Sequence, residues 1–118
     1  MAVDFITTNP ANLLAEFKKR IEQEEPEGKI TTWALDSDGD ITHKAVQWHK
    51  KAWMRPSLKE DRLSFTTVNP KGKEISPDVY GFYHGHLTAT FLTHFGQKLS
   101  AAQSSGRPTA EDKVKPKK

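Results

Sequence analysis

The segment Ser76 to Gly96 constrains the fold of this chain more than any other. Ser76 can accept a hydrogen bond from a helix-start amide, Pro77 suits a first turn, and Asp78 complements the positive end of the helix dipole. Tyr80, Tyr83, Leu87, Phe91 and Phe95 then recur at three- and four-residue steps, which predicts a helix to Phe95 with one apolar stripe and Gly96 as its stop. A stripe this aromatic has to be buried, so the remaining residues must supply a matching apolar surface. Gly81 and Gly85, continued by Ala89 and Thr93, form a second lane of small residues on the same helix. Each glycine costs about 1 kcal/mol of helix propensity relative to Ala, and the lane would let another backbone approach closely.

A second helix is predicted after Asn9-Pro10, with Leu13, Leu14, Phe17 and Ile21 on one face and Pro26 and Gly28 ending it. Glu16 and Arg20 are spaced for an exposed ion pair on that helix. Between the helices the chain is β-rich. Lys29 to Leu35 runs into Asp36-Ser37-Asp38-Gly39-Asp40, whose Asp-Gly step signals a hairpin, and Ile41 to Trp48 is expected to return as the partner. The stretch His43 to Met54 also fits a helix, with Ala45, Trp48, His49 and Ala52 on one side. Arg62 to Val68 alternates clearly, and Lys73 to Ile75 is a candidate fourth strand. The expected fold is α+β, with two helices packed on one face of a three- or four-stranded antiparallel sheet in the order α-β-β-β-(β)-α.

The apolar fraction of 35% lies below the globular average of about 45–50%. The shortfall traces to Gln97–Lys118, where Leu99 and Val114 are the only large aliphatic residues. That stretch reads as a disordered basic C-terminal tail of net charge +4, leaving residues 1–96 as one compact domain. The absence of cysteine excludes a disulfide scaffold, a Cys-based zinc site and a thiol nucleophile. There is no apolar run of about 18 residues and no export signal, so a soluble, cytoplasmic protein without membrane contact is expected.

Three constellations could carry chemistry. Asp36, Asp38 and Asp40 match the opening of an EF-hand loop, but Ile41 stands where that loop needs Gly and Gln47 where it needs Glu. Hairpin-turn chemistry explains the same residues, so they are weak metal candidates only. The five histidines, His43, His49, His84, His86 and His94, include no pair three or four residues apart. No nucleophile elbow, phosphate loop or His-Glu-x-x-His motif accompanies them. No cofactor and no enzymatic activity are therefore expected, and a small enzyme or metal-binding protein ranks third among the readings.

Charge segregation is the most informative of the three. Residues 1–42 carry −5, residues 43–73 carry +6, and residues 74–96 carry −2. In the basic part Trp48 and Trp53 are interleaved with Lys44, His49, Lys50, Lys51 and Arg55. Aromatic rings among cations suit a partner of complementary charge, and they also suit single-stranded nucleic acid. Five residues apart, the two tryptophans fall on opposite faces of a regular strand, which leaves one for the core. The order helix, three strands, helix is similar in connectivity to the double-stranded RNA-binding domain. That family's Gly-Pro-x-His loop is absent, however, and the acidic start Ser76-Pro77-Asp78 would repel the phosphates bound there. The sequence thus favours a non-enzymatic binding module that recognises a protein partner, or a second copy of itself, through the basic Trp-containing region. The alternative is a nucleic-acid binder that uses the same strip and the basic tail.

Overall fold

In the computed structural model, which describes residues 3–106, the chain forms one six-stranded antiparallel sheet with two helices. The elements are β1 (Val3–Ile6), α1 (Pro10–Glu22), β2 (Trp33–Leu35), β3 (Ile41–His43), β4 (Trp53–Leu58), β5 (Arg62–Val68), α2 (Pro77–Phe95), a 3-10 turn (Gly96–Lys98) and β6 (Ala101–Ser104). Across the sheet the order is β2-β3-β4-β5-β1-β6. The α+β class is as expected, but there are six strands where three or four were expected. Strands β1 and β6, which precede α1 and follow α2, and β4, which runs through Pro56 where the sequence predicts a stop, are the strands not expected, and the two outer ones make the connectivity depart from that of the double-stranded RNA-binding domain.

Both helices start as their sequences dictate. The Asn9 side chain accepts from the Asn12 amide at 3.1 Å, and Ser76 Oγ accepts from the Val79 amide at 3.2 Å. Each such cap is worth about 1 kcal/mol. Helix α1 stops at Glu22, before Pro26, because Gln23 turns extended and its side-chain amide donates to the carbonyls of Glu25 and Glu27. Phe17 of α1 and Phe91 of α2 meet Phe5 and Phe65 on one sheet face, with Phe5 and Phe91 stacked at 4.1 Å. The whole predicted stripe of α2 is buried, as are Leu13 and Phe17, while Leu14 and Ile21 are half-buried at the margin of the core. The expected Glu16–Arg20 pair does not form. Glu16 meets Lys98, and the Arg20 guanidinium lies 5.1 Å over the Phe95 ring.

The strands β2 and β3 are shorter than expected, and residues 44–51 form a compact turn that is neither strand nor helix. The cause is local. Trp48 and His49 both donate backbone bonds to the Ala45 carbonyl, and Lys50 sits in the left-handed region at φ 58° with its amide on Thr42 Oγ1. Lys73 to Ile75 is not a strand. Ile75 instead packs from a loop against the core. The segment Gln97–Ser104, assigned from sequence to a tail, is built into the fold, and β6 pairs with β1 from Ala101↔Ile6 to Ser104↔Val3. The sheet therefore extends past the expected domain boundary at residue 96. The rest of the expected tail, from residue 107, lies outside the described residues.

Candidate functional site

The turn 44–51 is a cationic projection on an aromatic base. Lys44, His49, Lys50 and Lys51 are exposed, and Val46 at its tip is 93% exposed. Trp48 points inward and stacks on Phe82 of α2, with centroids 4.1 Å apart and planes 7° from parallel. The Tyr83 hydroxyl donates to the Trp48 carbonyl and accepts from the His43 amide. Long side chains are thus held out by a base that is itself fixed to helix and sheet.

The predicted strip does not share one surface. Lys44, Trp48, His49, Lys50 and Lys51 belong to this turn, whereas Trp53 and Arg55 lie on the sheet face away from the helices. There Trp53 is 7% exposed, and Arg55 makes a bidentate ion pair with Asp40 at 2.9–3.0 Å. Hydrogen bonding to Asp40 raises the Arg55 pKa further, so its charge is fixed. Gly81 and Gly85 face outward from α2, and a Cβ on either would meet nothing within 4 Å. The carboxylate oxygens of Asp36, Asp38 and Asp40 lie within 4.8 Å of one another. Asp36 Oδ1 accepts from the amides of Asp38 and Asp40, and Asp40 holds Arg55, so turn chemistry and an ion pair account for the arrangement.

Sequence reasoning missed a histidine chain beneath the turn. The Ala45 amide donates to His43 Nδ1 at 3.1 Å, so that nitrogen is bare and the neutral ring carries its proton on Nε2. His43 Nε2 lies 2.5 Å from His86 Nδ1, which must accept, leaving the His86 proton on its own Nε2. Trp33, Phe82 and Tyr83 wall this pair in. Burial, and then repulsion from His86, push the His43 pKa down to about 4, and burial lowers that of His86. The two rings are therefore neutral at pH 7. A metal on His43 Nε2 would need the proton on Nδ1, where the Ala45 N–H already points, so the pair is built as a hydrogen bond and not as a ligand set. The residues lie 43 positions apart, on a strand and a helix, and no local spacing could have announced the pair.

Each remaining histidine has at least one ring nitrogen hydrogen-bonded. His49 Nδ1 donates to the His43 carbonyl, and His84 Nδ1 donates to the Tyr80 carbonyl. The His84 Nε2 can then accept from Thr67 Oγ1 at 3.3 Å, but both residues are at most 3% exposed and no substrate can reach them. Arg20 Nη1 donates to His94 Nδ1 at 3.3 Å. A cleft of about 740 Å³ lies away from the turn and is lined in part by Asn9, Asn12, Glu60, Asp61 and Lys98, where an exposed bond from Arg62 lowers the pKa of Asp61. Among the described residues no helix is long and apolar enough to cross a membrane. No family model matches the chain, and no curated protein or solved structure matches it.

Proposed function

We propose that the protein is a small non-enzymatic binding module that recognises an acidic protein surface, on another protein or on a second copy of itself, through the turn 44–51. The observation that carries this reading is the projection of Lys44, Lys50 and Lys51 around an exposed Val46 on a fixed aromatic base. Cations at a rim steer an acidic partner, and an apolar tip supplies a desolvated contact. Nucleic acid is less well served. Stacking on bases needs open aromatic faces, while Trp53 is buried and Trp48 already lies against Phe82.

The test is an amide-shift titration of the full chain with a poly-glutamate peptide and, separately, with single- and double-stranded oligonucleotides at low salt. The reading expects peptide-induced shifts at Lys44 to Lys51 that vanish in a Lys50→Ala, Lys51→Ala variant. Tighter binding of an oligonucleotide with a steep salt dependence would transfer the site to nucleic acid. No shift in the turn with any probe, together with a monomer in low-salt sedimentation, would overturn the reading.

A further inference from the structure

We propose that the cleft between α2 and the segment leading into β2 is a binding site for a small oxyanion, a phosphate or a carboxylate, held by Lys29, His86 and His94. The cleft has a volume of about 230 Å³, and Lys29, Thr31, Thr32, His86, Thr93 and His94 contribute to its lining, which includes no carboxylate side chain. The hydrogen-bond pattern decides what the two imidazoles can offer. His86 Nδ1 is occupied by His43, and His94 Nδ1 accepts from a guanidinium that is always a donor. Both neutral rings therefore carry the proton on Nε2, and in each of these cleft-lining histidines the nitrogen not engaged by those bonds is an N–H donor.

Lys29, a half-buried residue, adds an ammonium group and the threonines add hydroxyls, so the site is rich in donors and net positive. Arg20, reaching in from α1 beside His94, adds a second positive charge. The opposing charges are Glu22 at the end of α1 and Glu24, Glu25 and Glu27 on the turn that follows, which are exposed and do not line the cleft. Burial, and for His94 the adjacent Arg20, lower the pKa of both histidines. They thus serve as neutral donors at pH 7, and the charge of the site comes from Lys29 and Arg20. Donors that are already oriented before the ligand arrives reduce the ordering cost of binding. The site shares with the turn 44–51 only the Ala45 amide that sets the His43–His86 tautomers, and none of its ligand-binding groups lies on the cationic surface of that turn, so either proposal can fail alone.

The experiment uses the full ¹⁵N-labelled chain at pH 7. Long-range ¹H–¹⁵N spectra read the imidazole nitrogens while sodium phosphate, or in a second arm sodium acetate, replaces sodium chloride at constant ionic strength. The expected result is a saturating shift of the Nε2 signals of His86 and His94, weakened about tenfold by Lys29→Gln. Lys59→Gln, in the distant β4–β5 turn, should leave the curve unchanged. Saturation by both anions assigns oxyanions in general, and saturation by phosphate alone assigns phosphate groups. The proposal is overturned if neither anion saturates the signals, if Lys29→Gln leaves the curve unmoved, or if either ring carries its proton on Nδ1.

Discussion

Acidification from pH 7 to pH 4.5 should weaken the fold through His43. This ring titrates at about 4 in the folded protein, against about 6.5 in an exposed chain. The unfolded chain therefore takes up a proton as pH falls through 6.5, while the folded one refuses it until about 4. Stability is highest above that window and declines inside it, by at most about 1.4 kcal/mol per pH unit. Integrated from pH 7 to 4.5, His43 alone accounts for roughly 2 kcal/mol. His86 and His94, also lowered, add in the same direction. For a domain of this size the thermal midpoint falls by roughly 8–10 °C. The assay is urea unfolding at fixed temperature, followed by tryptophan fluorescence, at half-unit steps of pH. A His43→Gln variant should lose much of the slope, and NMR titration of its imidazole Cε1–H reads the midpoint directly. A wild-type loss below about 0.5 kcal/mol across the window, or a His43 midpoint near 6.5, would refute the burial argument.

Tyr83→Phe deletes the hydroxyl shared by Trp48 and His43. It should cost about 1–3 kcal/mol and speed amide hydrogen exchange at Lys50 and Lys51. Arg55→Met removes the bidentate partner of Asp40, a residue 1% exposed, and is expected to cost roughly 3 kcal/mol, measured as a lower urea midpoint at unchanged slope. Gly85→Ala places a Cβ in open space and should stabilise α2 by about 0.5–1 kcal/mol, read as a higher thermal midpoint; a fall would mean that this face is covered. Calcium at millimolar concentration is expected to leave the amides of Ser37 to Ile41 unmoved in an NMR titration, because Asp36 Oδ1 and both carboxylate oxygens of Asp40 are already bonded.

Local chemistry made much of the frame legible. Asn9-Pro10 and Ser76-Pro77 mark both helix starts, the Tyr80–Phe95 stripe marks the buried face of α2, and Asp-Gly marks the β2–β3 turn. The pieces that escaped are those stabilised by distant partners. Val3 to Ile6 is too short to signal a strand, and it is held by Leu63 and Phe65 far along the chain. Ala101 to Ser104 has no hydrophobic alternation at all and exists as a strand only because β1 presents a ladder to it. The turn 44–51 imitates helical spacing because Trp48 has to reach back to Phe82, a requirement that no window around Trp48 contains. The histidine chain was hidden for the same reason, as its donors and acceptors come from β3, the turn and α2.

The place of β1 between β5 and β6 bears on how the protein is made. Strand β1 has neither sheet neighbour until residues 62–68 have been synthesised, and its second edge stays open until residues 101–104 follow. Closing so long a loop precedes any gain from the ladder, which slows folding. Val3 and Phe5, fully buried at the end, are exposed to other nascent chains throughout that interval. Strands β2 to β5 can pair in turn as they are made, but the sheet is complete only once β6 follows, and conditions that stall synthesis after β5 should aggregate the protein far more readily than those that destabilise the finished fold.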